Sequence, residues 1–260
     1  MLFIRKTLFL FIPLALLGLG SGLTAQDVPE GSAEAVAEFS LAMTAYINQE
    51  YAEALPHFYR AHELDGSFVV PLFFAGLCEG NLGSDVPSDS LYRIVLAEKH
   101  RLSPYYVHRA EAALANANGD RYLGLEHSRE AAHLGPGTKA WYNLAYYAMF
   151  LNRPREARTA LLRLDPDGAA MKGWYGYYGV LAGANHALGR FDEELAVAKQ
   201  AQERFPDRRA PLLLEVQALS AMGRVDELPA VFEKAGKSPA TGAANTVGAV
   251  SYTHLRAHET

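Results

Sequence analysis

The sequence predicts an all-α chain of stacked helical hairpins, and three observations carry that prediction. Two stretches far apart, Asn48–Gly66 and Leu188–Asp207, read as copies of one unit. In each, a short turn feeds a helix whose small residues recur at helical spacing (Ala54 and Ala61; Ala198 and Ala201). Candidate turn residues Gln49, Gly83, Gly119, Asn152, Gly189 and Gly223 follow one another at intervals of 34, 36, 33, 37 and 34 residues. No segment sustains the period-two alternation of a half-buried strand, so no sheet is expected. A hairpin of this kind cannot bury its apolar face alone, and stacking copies is what completes the core.

Taken in order, Met1–Ala25 has the layout of a secretory signal peptide. Arg5 and Lys6 supply the positive start, Thr7–Gly20 is apolar, and Ala25 ends a plausible cleavage site. The expectation is export to the periplasm or beyond. An uncleaved N-terminal anchor is the alternative, against which Pro13 and the short apolar run both count. Residues 26–34 form a polar leader expected to be disordered.

The repeats span 35–236. The first has Leu41, Ala42, Ala54, Phe58 and Ala61, and the second Ala75, Gly76, Ile94 and Ala97. The third has Ala112, Gly119, Ala131 and Pro136. The fourth has Trp141, Leu144, Ala145, Ala157 and Leu161, ending early at Asp165-Pro166. The fifth has Leu181, Ala182, Gly189, Ala201 and Pro206. The sixth is weakest, with Gly223, Phe232 and Ala235. Small residues let two helices cross closely, Gly or Asn ends a first helix in a left-handed conformation, and proline stops a second one. Residues 237–249 read as a linker. Residues 250–260 resemble the translation of a transposase adapter used in preparing sequencing libraries, so the natural protein is expected to continue beyond about Gly248. His254 and His258 therefore carry no weight as an i,i+4 metal pair.

The chain has 24 basic and 29 acidic residues. Without Met1–Ala25 and the last eleven residues, 21 basic and 28 acidic remain, which argues against nucleic acid and anionic membranes as partners. The single Cys78 excludes an internal disulfide and sits in an apolar run, as a buried inert thiol does. There is no HExxH, P-loop, GxSxG or CxxC motif, so no catalytic residue and no cofactor is expected. Acids such as Glu126, Glu193 and Glu194 are expected to face solvent. His57 and His62 are five apart and His127 and His133 six, so neither pair shares a helix face. A metal site would need histidines from different hairpins, and none is expected.

In period and motif residues the chain resembles the tetratricopeptide-repeat (TPR) family, over residues 35–236. The resemblance implies a right-handed α-solenoid of about six hairpins that binds a protein or peptide segment on its concave face. The family's inward positions fall on Phe39, Met43, Tyr46, Phe73, Leu77, Tyr106, Arg109, Asn116, Tyr142, Tyr146, Met149, His186 and Gln217. Some members clamp a peptide carboxylate with Lys and Asn, but here those places hold Phe39, Met43, Tyr142 and Tyr146, which favours an apolar or amphipathic segment. The stretch from Arg101 to Ala145 also resembles helical-repeat sensor regions attached to some bacterial kinases and winged-helix regulators. A sensor segment of a longer protein, or an envelope enzyme using histidines from several repeats, are the alternative readings. Finally, Gly176, Gly179 and Gly183 form one helical stripe. Each costs roughly 0.5–1 kcal/mol relative to Ala, so either a neighbouring helix or a ligand is expected to lie against them.

Overall fold

The computed structural model describes residues 31–237. Twelve α-helices and no strand occur among the described residues. They form six antiparallel hairpins: α1 (Ala33–Ile47) with α2 (Tyr51–Leu64), α3 (Val70–Asn81) with α4 (Asp85–Ala97), α5 (Pro104–Ala117) with α6 (Arg121–Leu134), α7 (Ala140–Phe150) with α8 (Pro154–Leu161), α9 (Gly176–Ala187) with α10 (Phe191–Arg204), and α11 (Ala210–Ala221) with α12 (Leu228–Lys237). Each helix packs on the next, the pattern of a solenoid. The stretches expected to be a signal peptide and an adapter-derived tail, and most of the expected linker, lie outside the described residues. Within the expected leader, residues 33 and 34 already belong to α1, which Ser32 caps by accepting from the Ala35 amide.

One turn is used six times. Gln49, Gly83, Gly119, Asn152, Gly189 and Gly223 all have positive φ, between 52° and 84°. In every hairpin the residue after this one donates its amide to a carbonyl five residues back, as Glu50 does to Ala45 and Arg190 to Asn185, both at 2.9 Å. That six-to-one bond closes a Schellman motif, which satisfies carbonyls the helix end leaves open and reverses the chain tightly enough for the next helix to fold back. Glycine adopts this conformation freely; Gln49 and Asn152 adopt it under strain.

Alanines at the crossings explain the close packing. Ala42, Ala54, Ala61, Ala145, Ala157, Ala182, Ala198 and Ala201 are fully buried. Phe39, Phe58, Phe68 and Phe74 fill the space between the first two hairpins, with ring centroids 5.4–5.7 Å apart. One continuous core runs through the first five hairpins. The sixth packs mainly on a small separate cluster of Leu195, Leu212, Ala218, Leu219 and Val231. Phe232, a motif residue of that repeat, is exposed.

The regular alternation breaks once. Helix α8 has only 8 residues, and residues 162–175 run as turns and bends before α9. Met171, Trp174 and Tyr175 are nonetheless buried. This irregular strap pushes Trp174 toward the first hairpin, where its ring stacks on Tyr46 at 5.9 Å and 20°.

Candidate functional site

The first helices of the first five hairpins surround a cavity of about 640 Å³. Tyr46 comes from α1, Phe73 and Leu77 from α3, Arg109, Ala113 and Asn116 from α5, Tyr142, Tyr146 and Met149 from α7, and Gly176, Gly179 and Gly183 from α9. Second helices contribute less, with Tyr51, Tyr92 and Ser128 among them. One wall is a ladder of rings. Trp174 meets Tyr142 edge-on at 5.6 Å, Tyr142 stacks with Tyr146 at 6.2 Å, and Tyr146 meets Phe150 edge-on at 4.8 Å. Tyr146 and Phe150 are the exposed end of that ladder, at 39% and 36%.

Arg109 lines the same cavity, buried among Phe73, Phe74, Tyr105 and Tyr106, its guanidinium carbon 4.8–5.5 Å from each ring centre. Ring faces are negative, so four of them stabilise a cation that burial would otherwise penalise. Arg121 and Arg208 also line the cavity, and no aspartate or glutamate is among the lining residues described. Lys139 sits over the Trp174 ring. Burial raises the phenol pKa of Tyr51 and Tyr92 to about 12, and those of Tyr46, Tyr142 and Tyr147 upward as well. The walls therefore present neutral hydroxyls. Cys78 is fully buried and its thiol is pushed up to about 12 by desolvation, so no thiolate nucleophile is present there at neutral pH.

Eight of the thirteen expected inward residues line this cavity: Tyr46, Phe73, Leu77, Arg109, Asn116, Tyr142, Tyr146 and Met149. Five do not, Gln217 of α11 among them. Phe39 is wholly enclosed by the rings of the first core, and Met43 is buried in the same core. Tyr106 is buried against Phe73 and Tyr105, a layer behind the wall. His186 turns away to Glu194, its Nδ1 2.8 Å from Oε2. The inward stripe of a first helix is narrow, and its flanks are taken up by packing, against the next hairpin at Phe39, the preceding one at Tyr106 and the helix's own partner at His186.

The glycine stripe lies on the cavity wall, and its members differ. A Cβ on Gly176 would stand 2.6 Å from both Tyr142 Oη and Trp174 Nε1. One on Gly183 would meet only Met149 Cε, at 3.8 Å. The ring ladder fits against the first glycine, while the third faces space.

Two expectations about polar residues fail. Glu194 does not face solvent; it is fully buried against His186. Nor do histidines need several hairpins to converge, because His108 and His127 meet within the third, their Nδ1 atoms 3.0 Å apart. They sit nineteen residues apart on two helices, so a search along single helices misses them. The visible signal was that Glu111 and His127 stand equally far from the turn at Gly119, one on each side.

A thermophilic TPR protein of Thermus thermophilus is similar with a TM-score of 0.53 and 21% identity, over 72% of this chain and 98% of that one. A tetratricopeptide-repeat protein of Parabacteroides merdae matches with a TM-score of 0.51 and 13% identity, over 86% and 89%. The chain has the tetratricopeptide-repeat fold. The Cut9–Hcn1 hetero-tetramer of the APC/C matches with a TM-score of 0.62 and 12% identity, over 82% of this chain and 42% of that longer one. No family model matches the sequence, and no curated protein is significantly similar to it.

Proposed function

We propose that this TPR chain is a non-catalytic scaffold that holds a protein or peptide segment in the cavity of its first helices. The observation that carries the proposal is the composition of the cavity wall: a ladder of aromatic rings with an exposed end, arginines beside it, and no carboxylate among the described lining residues. Exposed Tyr at the mouth of a pocket supplies large contact area at low entropy cost. The basic wall selects against a basic segment and favours one that carries an acidic group beside an apolar or aromatic side chain. This matching occurs in a chain whose net charge is −5, so it is local to the cavity. The signal-peptide layout of Met1–Ala25 supports an exported setting for the binding.

A peptide-display selection against the full chain tests this reading. Recovered peptides should combine aromatic and acidic residues. Tyr146→Ala should weaken them about thirtyfold, the roughly 2 kcal/mol of an interface hot spot, without altering the helical circular-dichroism spectrum. Peptides that bind the variant as well as the wild type would place the partner elsewhere.

A further inference from the structure

We propose that His108, Glu111 and His127 form a binding site for a divalent transition-metal ion, with zinc the best fit. His108 and Glu111 lie one turn apart on α5, and His127 reaches them from α6. Their three ligand atoms are mutually close: His108 Nδ1 to His127 Nδ1 is 3.0 Å, His127 Nδ1 to Glu111 Oε2 is 3.1 Å, and His108 Nδ1 to Glu111 Oε2 is 3.5 Å. With metal–ligand bonds of about 2.0–2.1 Å, the edges of a coordination tetrahedron are about 3.3 Å long. A point about 2.05 Å from all three atoms exists, and it lies about 0.9 Å out of the plane they define. That is close to the apex of an undistorted site with its fourth position left to water or another ligand.

The repeats themselves supply an independent argument. His108, Glu111 and His127 stand eleven and eight residues before the turn glycine and eight after it. In hairpins two, four and five those three positions are Leu72, Ala75 and Leu91; Trp141, Leu144 and Ala160; and Tyr178, Leu181 and Val197. All nine are buried, a seam of enclosed positions repeated from hairpin to hairpin. Hairpin three replaces the whole seam by two imidazoles and a carboxylate, all partly buried. Hairpin one shows the incomplete version: Glu38 and His57 pair at 2.7 Å, but the third position is exposed Leu41. Substituting three seam positions with polar groups costs packing, and a bound ion recovers it by joining α5 to α6. Two imidazoles and one carboxylate suit zinc or cobalt, whereas calcium and magnesium prefer all-oxygen sets. None of the three residues lines the aromatic cavity, so this site is distinct from the proposed peptide site.

The test is titration of the full chain with Zn²⁺, and with Co²⁺ as a visible reporter of four-coordinate geometry. The chain carries His254→Ala and His258→Ala, so the tail histidines contribute nothing. We expect one saturable equivalent of Zn²⁺, a Co²⁺ absorption band of four-coordinate intensity, and a higher melting temperature with the metal than without it. His127→Gln and Glu111→Gln, each shown by circular dichroism to stay helical, should weaken binding by more than the roughly 10–100-fold that losing an outer-shell partner costs. Glu38→Gln, in the two-membered pair, should leave it unchanged. Absence of a saturable equivalent, or an equivalent that survives both His127→Gln and Glu111→Gln, would overturn the assignment.

Discussion

Arg208 and Gln49 stand 159 residues apart in the chain and are hydrogen-bonded, Nη1 donating to Oε1 at 3.1 Å. Gln49 is the left-handed turn residue of the first hairpin, and Arg208 follows the second helix of the fifth. A solenoid that only contacts its neighbours would leave these residues far apart. Here the array curls until hairpin one meets hairpin five, and the Tyr46–Trp174 stack makes the same closure in apolar form. The groove of an open array thereby becomes a semi-enclosed cavity.

The closure should be measurable through Trp174. Its indole touches Tyr46, Tyr142 and the Lys139 ammonium, and it is 6% exposed. Trp174→Ala should cost about 3–5 kcal/mol, the usual penalty for deleting a buried large aromatic. Hydrogen exchange should then rise at both α1 and α9. An effect confined to α9 would mean that the two ends are not energetically joined.

The glycine stripe gives a paired prediction on one helix. At Gly183 an added methyl group meets only Met149, so Gly183→Ala should stabilise α9 by about 0.5–1 kcal/mol through lower backbone entropy loss. At Gly176 the same methyl group is driven against Tyr142 Oη and Trp174 Nε1, so Gly176→Ala should destabilise by about 1–3 kcal/mol. Thermal melts of the two variants should move in opposite directions, and equal shifts would refute the distinction.

The repeats were readable because one local requirement recurs. Each hairpin needs a left-handed residue at its turn, and glycine, asparagine or glutamine stands at that register six times. The ring wall was readable in part, because Tyr142, Tyr146 and Arg109 fall on the inward stripe. Trp174 as the closing residue was not, since a strap outside the repeat period places it. The His108–His127 meeting was equally hidden from spacing along one helix, because it depends on how two helices register across a turn. Glu194 looked like a surface acid on an acidic first turn; only its partly buried partner His186 shows why it is tolerated inside.

The turns predict their own sensitivity. Gly119 has φ of 82°, a conformation that costs an alanine roughly 1–2 kcal/mol. Gly119→Ala should lower stability by about that amount, and Asn152→Gly, at φ 52°, should be neutral or slightly stabilising. Denaturant melts check both. A Gly119→Ala variant as stable as the wild type would show that the six-to-one bond does not hold this turn in place.

The part-buried His186–Glu194 pair at the fifth hairpin sets a pH dependence whose sign is fixed. The hydrogen bond to Glu194 raises the pKa of His186 above its ordinary 6.5, because it favours the imidazolium. Desolvation raises the pKa of Glu194 above its ordinary 4.5, because burial disfavours the carboxylate. Both groups hold their protons more tightly in the folded chain than in the unfolded one. Their contribution to stability is therefore complete below pH 4.5 and declines as the pH rises through the two folded-state values. Salt-bridged carboxylates such as Glu156, whose pKa Arg129 lowers, act in the opposite direction, so the wild type alone gives a mixed profile. The comparison that isolates the pair is wild type against Glu194→Gln, in which those other terms cancel. The variant should gain on the wild type steadily from pH 4.5 to above 6.5 in denaturant melts, since it alone avoids burying a carboxylate beside an imidazole that is losing its proton. A stability difference that stays constant across that window would mean that the pair does not titrate as the geometry requires.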